Sequence, residues 1–511
     1  MSVAPTYKQF SHREHILELP DTYVGSVETH DEWRWVLDGE KMVHRKIAFN
    51  PGFYKLFDEL VVNARDARIR SIPSANPIKH IAITVKEDGD ALVISVENDG
   101  DGIPIEKHAE KQVWIPEMIF GHLLTSGNYD KTEEKIVGGK NGYGAKLVNV
   151  FSHEFKLEVR SPGPAGNGPL PVVDGQKYTQ IWTKHMSVCG KPVIKKDKGK
   201  GFVRVTYTPD LSRFVGFNKE TMINVLKTRT YELAGLCGKD VKVSWNGTNV
   251  ASNTFEKFVK LFLREGSTSL AYESCGPRWE IASVLSRCLY DDETGTDDGA
   301  RSVSFVNGIN TKKGGKHVDT VVRSVLGDFC EAAAKKKVPV KVAQIRDAVV
   351  FFVNATIVNP SFDSQTKETL TTPSAKFGSV FKSEKMSDSL MKLGLLEEAQ
   401  AALEAKSAKD AKRTDGSKKK TLRGLPKLVD ASWAGTAKSP ECTLILTEGD
   451  SAATSAICGL TVVGREKFGV FPLRGKLLNV KDISQEKFNK NEELTAIKAI
   501  LGLRQGTKYK D

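Results

Sequence analysis

The 511-residue sequence has no apolar run approaching the ~18 residues that a membrane-spanning helix needs. Its first residues, MSVAPTYKQFSHREH, lack the apolar core of a signal peptide. Cysteine is scarce. The seven residues Cys189, Cys237, Cys275, Cys288, Cys330, Cys442 and Cys458 are odd in number, widely spaced and never form a C-x-x-C pair. That pattern argues against a disulfide framework and a zinc ribbon, and it fits a reducing, intracellular compartment. Acidic residues number 63 against 75 basic ones, leaving a net charge of +12. Such a balance points to a polyanionic partner such as nucleic acid, although a merely soluble basic protein can carry it too. With 40% hydrophobic residues the chain can bury real cores, so a disordered or fibrous protein is excluded.

Residues 1–255 read as one α/β unit. Helical periodicity runs over Phe53–Arg70. Ile81, Ile83 and Val85, then Leu92, Ile94 and Val96, alternate at period two around Glu87-Asp88-Gly89, which predicts a hairpin. Glycines between Gly138 and Gly144 lead into a predicted helix over Ala145–Phe151, and Ser161–Gly175 reads as a loop. Residues 256–403 read as a second α/β unit, with buried strands at Val303–Asn307 and Ala348–Asn354 and helices at Val318–Lys335 and Ser389–Lys406. Residues 404–440 read as a basic linker, since Lys406–Lys427 holds nine Lys or Arg and two Asp. A third unit, 441–511, opens with a short strand at Thr443–Leu446.

Four segments carry chemistry. In KLFDELVVNARDA, Glu59, Asn63 and Asp66 share one helix face. A carboxylate there can deprotonate a water, and an amide oxygen suits Mg²⁺. Alone, the trio also fits a solvated polar face. In Glu97-Asn98-Asp99-Gly100-Asp101-Gly102, glycines permit a tight turn beside a ligand, with a side chain free to read a base edge, yet an ordinary turn fits as well. Gly138-Gly139-Lys140-Asn141-Gly142-Tyr143-Gly144-Ala145-Lys146 offers backbone N–H groups and two lysines to a phosphate, but not the spacing of a Walker A loop. Ser364-Gln365-Thr366-Lys367 places a lysine on a loop of the second unit, where it could reach a terminal phosphate or simply face solvent.

The order of these segments resembles the GHKL ATPase family. HILELPDTYVGS, LLTSGNYD, GGKNGYGAKLVNVFS, NPSFDSQTKE, LTEGDSA and PLRGKLLNV together resemble the ATPase, transducer and first part of the TOPRIM domain of eukaryotic-type DNA topoisomerase II. The fold class that the resemblance implies is α/β: a GHKL (Bergerat) ATPase sandwich with an N-terminal arm containing Tyr7, an α/β transducer and an incomplete TOPRIM domain. It implies ATP and Mg²⁺ as cofactors. Glu59 becomes the general base, Asn63 the Mg²⁺ ligand and Asn98 the adenine contact. Ser126 and Asn128 become sugar and phosphate contacts, with Gly127 where a second serine is common. Lys140, Asn141, Gly142, Tyr143, Gly144 and Lys146 become the phosphate lid, and Gln365 and Lys367 the γ-phosphate sensors.

The resemblance further implies duplex DNA as a partner, met by Lys335, Lys336, Lys337 and Lys476, and a homodimer formed through the ATPase domain on ATP binding. Glu448 matches a glutamate that binds Mg²⁺ for DNA cleavage, but the D-x-D motif and the cleavage tyrosine are not in this sequence. The expectation is therefore an ATP-hydrolysing gate that does not itself cut DNA, acting with the rest of a topoisomerase in cis or as a separate subunit. A nuclear or viral DNA-replication compartment would suit it. Another GHKL clamp is the competing reading, against which LTEGDSA and PLRGK stand.

Overall fold

The computed structural model describes residues 9–125, 134–139, 142–161, 175–289, 302–401, 425, 427–481, 483, 485–504 and 507–509. They fall into two compact units, Met1–Leu396 and Glu397–Asp511.

The first unit is built mainly on two sheets, with a small third one formed by His30–Asp38 antiparallel to Lys41–Phe49. The largest runs, strand by strand, Thr248–Asn249, Lys242–Trp245, His80–Asp88, Ala91–Asp99, Phe202–Pro209, Ser152–Ser161, Gln176–Thr183 and Val188–Cys189, with Val193–Lys196 also on Gln176–Thr183. The hairpin forms in register, Ile81 opposite Asn98 and Asp88 opposite Ala91. Gly89 turns it at φ 58°. Alternation along these strands drives one face inward: Ile81, Ile83, Leu92 and Ile94 are all fully buried.

Against that face lies the helix Pro51–Ser71. Asn50 caps it, its Oδ1 accepting the Phe53 N–H at 3.0 Å, and Pro51 supplies the fixed φ suited to a first turn. The helix is not amphipathic in the simple sense. Lys55, Asp58, Glu59, Arg65 and Asp66 are buried alongside Leu56, Phe57, Leu60 and Val61. Charges in such a place require partners, because an uncompensated buried ion costs several kcal/mol or about that order. The helices Gly144–Val150 and Lys219–Cys237 pack beside it.

The second sheet runs Ala271–Ser274, Trp279–Leu285, Val349–Ala355, Ser302–Val306 and Ile309–Asn310. The central Val349–Ala355 strand is buried at all but one position, as its unbroken apolar run requires, and it pairs in parallel with Ser302–Val306. The helix Lys316–Lys335 covers it. The helix predicted over Ser389–Lys406 is broken after Met386–Lys392 and resumes at residue 395, with residues 402–406 outside the described residues. Gly394 stands in the break at φ 89°, a conformation that a continuing helix cannot hold.

The second unit has a two-stranded parallel sheet, Thr443–Glu448 with Phe468–Leu473, joined by the helix Asp450–Val463. The stretch read as linker does not stay separate to residue 440. Val429 bridges Val470, the Ser432 N–H donates to the Arg465 carbonyl, and Ala431 is buried. Backbone pairing at a sheet edge outweighs the high charge just upstream. Most of Lys406–Lys427 lies outside the described residues, as does the Ser161–Gly175 loop apart from its two ends. No described helix is long and apolar enough to cross a membrane.

Candidate functional site

A cleft of about 850 Å³ opens between the Pro51–Ser71 helix and the first sheet. Ile78, Val96, Ile119, Phe120, Val203 and Val205 give it apolar lining. Glu59, Asn63, Asp66, Asn98, Gly142, Tyr143, Gly144, Lys146, Gln365 and Lys367 are among its polar and glycine lining. A flat aromatic group suits the apolar lining and a polyanion the lysines and glycines.

Glu59 is a buried carboxylate of this lining. Its Oε1 lies 2.7 Å from Lys55 Nζ and 3.5 Å from Lys367 Nζ. Burial disfavours its charge, but Lys367 and Lys55 outweigh burial and bring the carboxyl down to about 2. Lys367 is itself buried, which lowers its pKa against the pull of Glu59. Its backbone is left-handed at φ 62°, and this aims the side chain inward from the Ser364–Lys367 turn, where it also donates to the Gly138 carbonyl at 3.4 Å.

Glycine leaves room for the Glu59 carboxylate. A Cβ on Gly144 would overlap Glu59 Oε2, so a larger residue there would push the carboxylate aside. The turn after Asn98 borders the cleft through Asp99, Asp101 and Gly102, and a Cβ on Gly102 would also meet the Arg160 carbonyl of a nearby strand. Asn98 itself is buried, with its amide donating to the Asp99 carbonyl at 2.8 Å.

The root of the glycine-rich loop is fixed by Asp66. Its carboxylate accepts the Gly138 N–H at 2.9 Å and the Gly139 N–H at 2.9 Å. Burial raises the Asp66 pKa, opposed by Arg65 and these two amides. Lys146 lines the cleft, but its ammonium donates to the carbonyls of Thr125 at 2.6 Å and Gly142 at 2.8 Å, and burial pushes it down to about 8. It therefore ties the far end of the loop as well as facing the cleft. The Tyr143 hydroxyl meets His12 Nε2 at 3.2 Å. Ser126, Gly127, Asn128, Lys140, Asn141 and Tyr7 lie outside the described residues.

The remaining expected site residues are elsewhere. Lys335, Lys336 and Lys337 are exposed at the end of the Lys316–Lys335 helix, where positive charge also complements the helix dipole. In the second unit, Lys476 is exposed, and Glu448 is exposed at the end of a parallel strand. Three buried charges linked to Glu59 behind the cleft do not stand out in the sequence: Lys55, Asp58 and Arg229. Lys55 and Asp58 had a signal in their spacing of four and one residues from Glu59, on a helix otherwise rich in apolar residues. A second His/Asp cluster, His153, His185 and Asp210, lines no part of the cleft, and its carboxylate is already engaged by Ser212 and Arg213.

Comparison with known proteins follows the same division. A family model described as histidine kinase-, DNA gyrase B- and HSP90-like ATPase matches residues 50–182, and one described as DNA gyrase B matches residues 292–421. The DNA topoisomerase 2 of Pisum sativum is 43% identical over 522 residues, covering 99% of this chain and 34% of that protein. The crystal structure of the ATPase region of Saccharomyces cerevisiae topoisomerase II is 38% identical, with a TM-score of 0.68, covering 79% of this chain and 100% of that one. The ATPase and transducer domains of DNA topoisomerase II from Balamuthia mandrillaris give a TM-score of 0.68 at 33% identity, covering 80% of this chain and 99% of that one. The chain spans about a third of the length of the curated relatives it matches.

Proposed function

Because the chain belongs to the DNA topoisomerase II family and carries its ATPase region, we propose that it binds ATP with Mg²⁺ in the cleft and hydrolyses it at Glu59. The observation that carries this reading is the meeting of Lys367 with Glu59, 308 residues apart in sequence, in a cleft lined by both polar and apolar groups. Adenine suits the apolar lining and Asn98. The phosphates suit the lining given by Gly142, Gly144, Gln365 and Lys367. Mg²⁺ would be held by the Asn63 amide oxygen and would neutralise phosphate charge.

Phosphoryl transfer leaves the protein little covalent work, so positioning and charge carry the catalysis. With no nucleotide, Lys367 neutralises Glu59. A γ-phosphate gives that ammonium a competing anion. Losing its closeness to Lys367 makes Glu59 more basic, and the carboxylate then takes a proton from the attacking water. Loss of the γ-phosphate returns Lys367 to Glu59. The loop carrying Lys367 follows the second sheet, so each cycle alters the seating of that sheet on the first, a two-state contact suited to a gate.

In the complete protein, this reading extends to ATP-driven homodimerisation and capture of duplex DNA during strand passage. It extends to DNA contacts at Lys335, Lys336, Lys337 and Lys476, and to Glu448 as one Mg²⁺ ligand of the cleavage site. It suits a nuclear or viral DNA-replication compartment. The test is Glu59→Gln, which should cut turnover by about 10² or more while an ATP analogue still binds. Unchanged turnover would remove Glu59 from the mechanism. For the gate, ATPase activity should rise faster than linearly with chain concentration and rise further with duplex DNA. A strictly proportional, DNA-indifferent rate would count against it.

A further inference from the structure

Glu59 stands at one end of a buried chain of charges that leaves the cleft. Lys55 Nζ, 2.7 Å from Glu59, is also 3.8 Å from Asp58 Oδ2. Asp58 Oδ1 accepts from Arg229 Nε at 2.7 Å. Arg229, 1% exposed, belongs to the Lys219–Cys237 helix, and each of its three guanidinium nitrogens has a partner. Nη1 faces Glu232 Oε2 at 3.3 Å, and Nη2 donates to the Gly308 carbonyl at 2.6 Å. Glu232 in turn accepts from the Asn310 amide at 2.8 Å.

Gly308 and Asn310 belong to the second sheet, at the turn between Ser302–Val306 and Ile309–Asn310. The turn is left-handed at both residues, Asn307 at φ 50° and Gly308 at φ 77°. A Cβ on Gly308 would run into Arg65 of the Pro51–Ser71 helix. Asn307 clasps the Ile357 backbone in both directions, at 2.9 and 2.8 Å, and reaches the Val137 carbonyl at the root of the glycine-rich loop at 3.4 Å. One turn thus touches the Pro51–Ser71 helix, the loop root and the strand exit that leads to Lys367.

A carboxylate that must take a proton from a water needs its own orientation fixed, and a long flexible lysine fixes it poorly unless the lysine is itself held. Asp58 holds Lys55 only if Asp58 is held, and Arg229 holds Asp58. We propose that Arg229 is a positioning residue for ATP hydrolysis, fixing Glu59 through Asp58 and Lys55 and tying that group to the Asn307–Gly308 turn of the second sheet. The inference rests on hydrolysis at Glu59. It adds a direct mechanical route between the second sheet and the base, separate from Lys367. Arginine suits the role because one planar fork reaches Asp58, Glu232 and Gly308 together, whereas a lysine offers a single ammonium.

The test uses the full chain and reads turnover and nucleotide binding separately. Steady-state kcat and KM for ATP, the Kd of a non-hydrolysable ATP analogue, and the melting temperature are measured for the unaltered protein, Glu59→Gln, Arg229→Lys and Asn310→Ala. Arg229→Lys keeps a cation for Asp58 but loses the fork, so kcat should fall about tenfold while KM and the analogue Kd stay within about twofold. Asn310→Ala removes one support of Glu232 from the far sheet and should lower kcat about two- to threefold in the same one-sided way. Should Arg229→Lys fail to fold, Asn310→Ala decides the matter alone. An unchanged kcat in the folded variants, or kcat and nucleotide binding falling together, would overturn the role. If the unaltered protein does not hydrolyse ATP, or Glu59→Gln turns over normally, it is the reading of Glu59 that fails.

Discussion

Lys367 Nζ lies 3.5 Å from Glu59 Oε1, joining a loop beyond the second sheet to the helix under the first. The contact makes Lys367 the leading charge on Glu59 and gives Glu59 the main attraction that Lys367 feels. Both groups are buried, so neither is screened as a surface pair would be.

Replacing the lysine by methionine, Lys367→Met, should therefore do two things. Turnover should fall by about 10²–10³, the usual size of losing one preorganised charge at a reacting group. The acid branch of stability should also flatten. Glu59 sits near 4.5 when unfolded and at about 2 when folded, so it contributes stability above pH 4.5 that is lost as pH falls toward 2. Without Lys367 the folded pKa moves up toward the unfolded one, and less is lost across that window. Urea unfolding midpoints between pH 2.5 and 5 measure the slope. An unaltered slope would show that the two groups do not share charge in solution.

Gly144→Ala tests the space around the same carboxylate. Gly144 opens its helix with a backbone that alanine can also adopt, so the substitution carries no backbone penalty. Here its Cβ must displace Glu59 Oε2. The expected result is a loss of kcat of about tenfold or more with little change in melting temperature. A variant as active as the parent would mean that Glu59 has room to move and is not held by this contact.

The contrast between what could and could not be read in the sequence follows from range. The hairpin around Gly89 and the helix Pro51–Ser71 are written in local period and turn chemistry, and both form within two residues of the expected positions. The cleft became legible through four segments in a known order. The charges gathered around Glu59 did not. Arg229 and Glu232 show an i, i+3 pair in the sequence, but Asp58, 171 residues earlier, and Gly308, 79 later, do not announce that they share one guanidinium. The break at Gly394 was hidden for the opposite reason. Leu, Ala and Glu on either side favour a helix strongly enough that one glycine reads as a tolerable cost.

His317 allows an independent check on the second sheet. It lies fully buried at the start of the Lys316–Lys335 helix, with Nε2 3.1 Å from Thr311 Oγ1, and burial lowers its pKa to about 3. No neighbouring carboxylate offsets that burial among the causes of the shift. Unfolded, the ring titrates near 6.5, so below that pH the unfolded chain takes up a proton that the folded chain refuses. Stability must then fall as pH drops from 6.5 toward 3, by an amount on the order of a few kcal/mol across the window. His317→Gln keeps a hydrogen-bonding group near Thr311 but cannot titrate. Its stability should be flatter between pH 6.5 and 4 than that of the parent, while the Glu59-dependent loss below pH 4.5 remains. The two windows overlap between pH 4.5 and 3, so a pH series of thermal melts on both proteins separates them by the change above pH 4.5. If the variant and the parent lose stability in parallel from pH 6.5 downward, the imidazole is reached by water or protons in solution, and the packing around the helix start is looser than the buried ring implies.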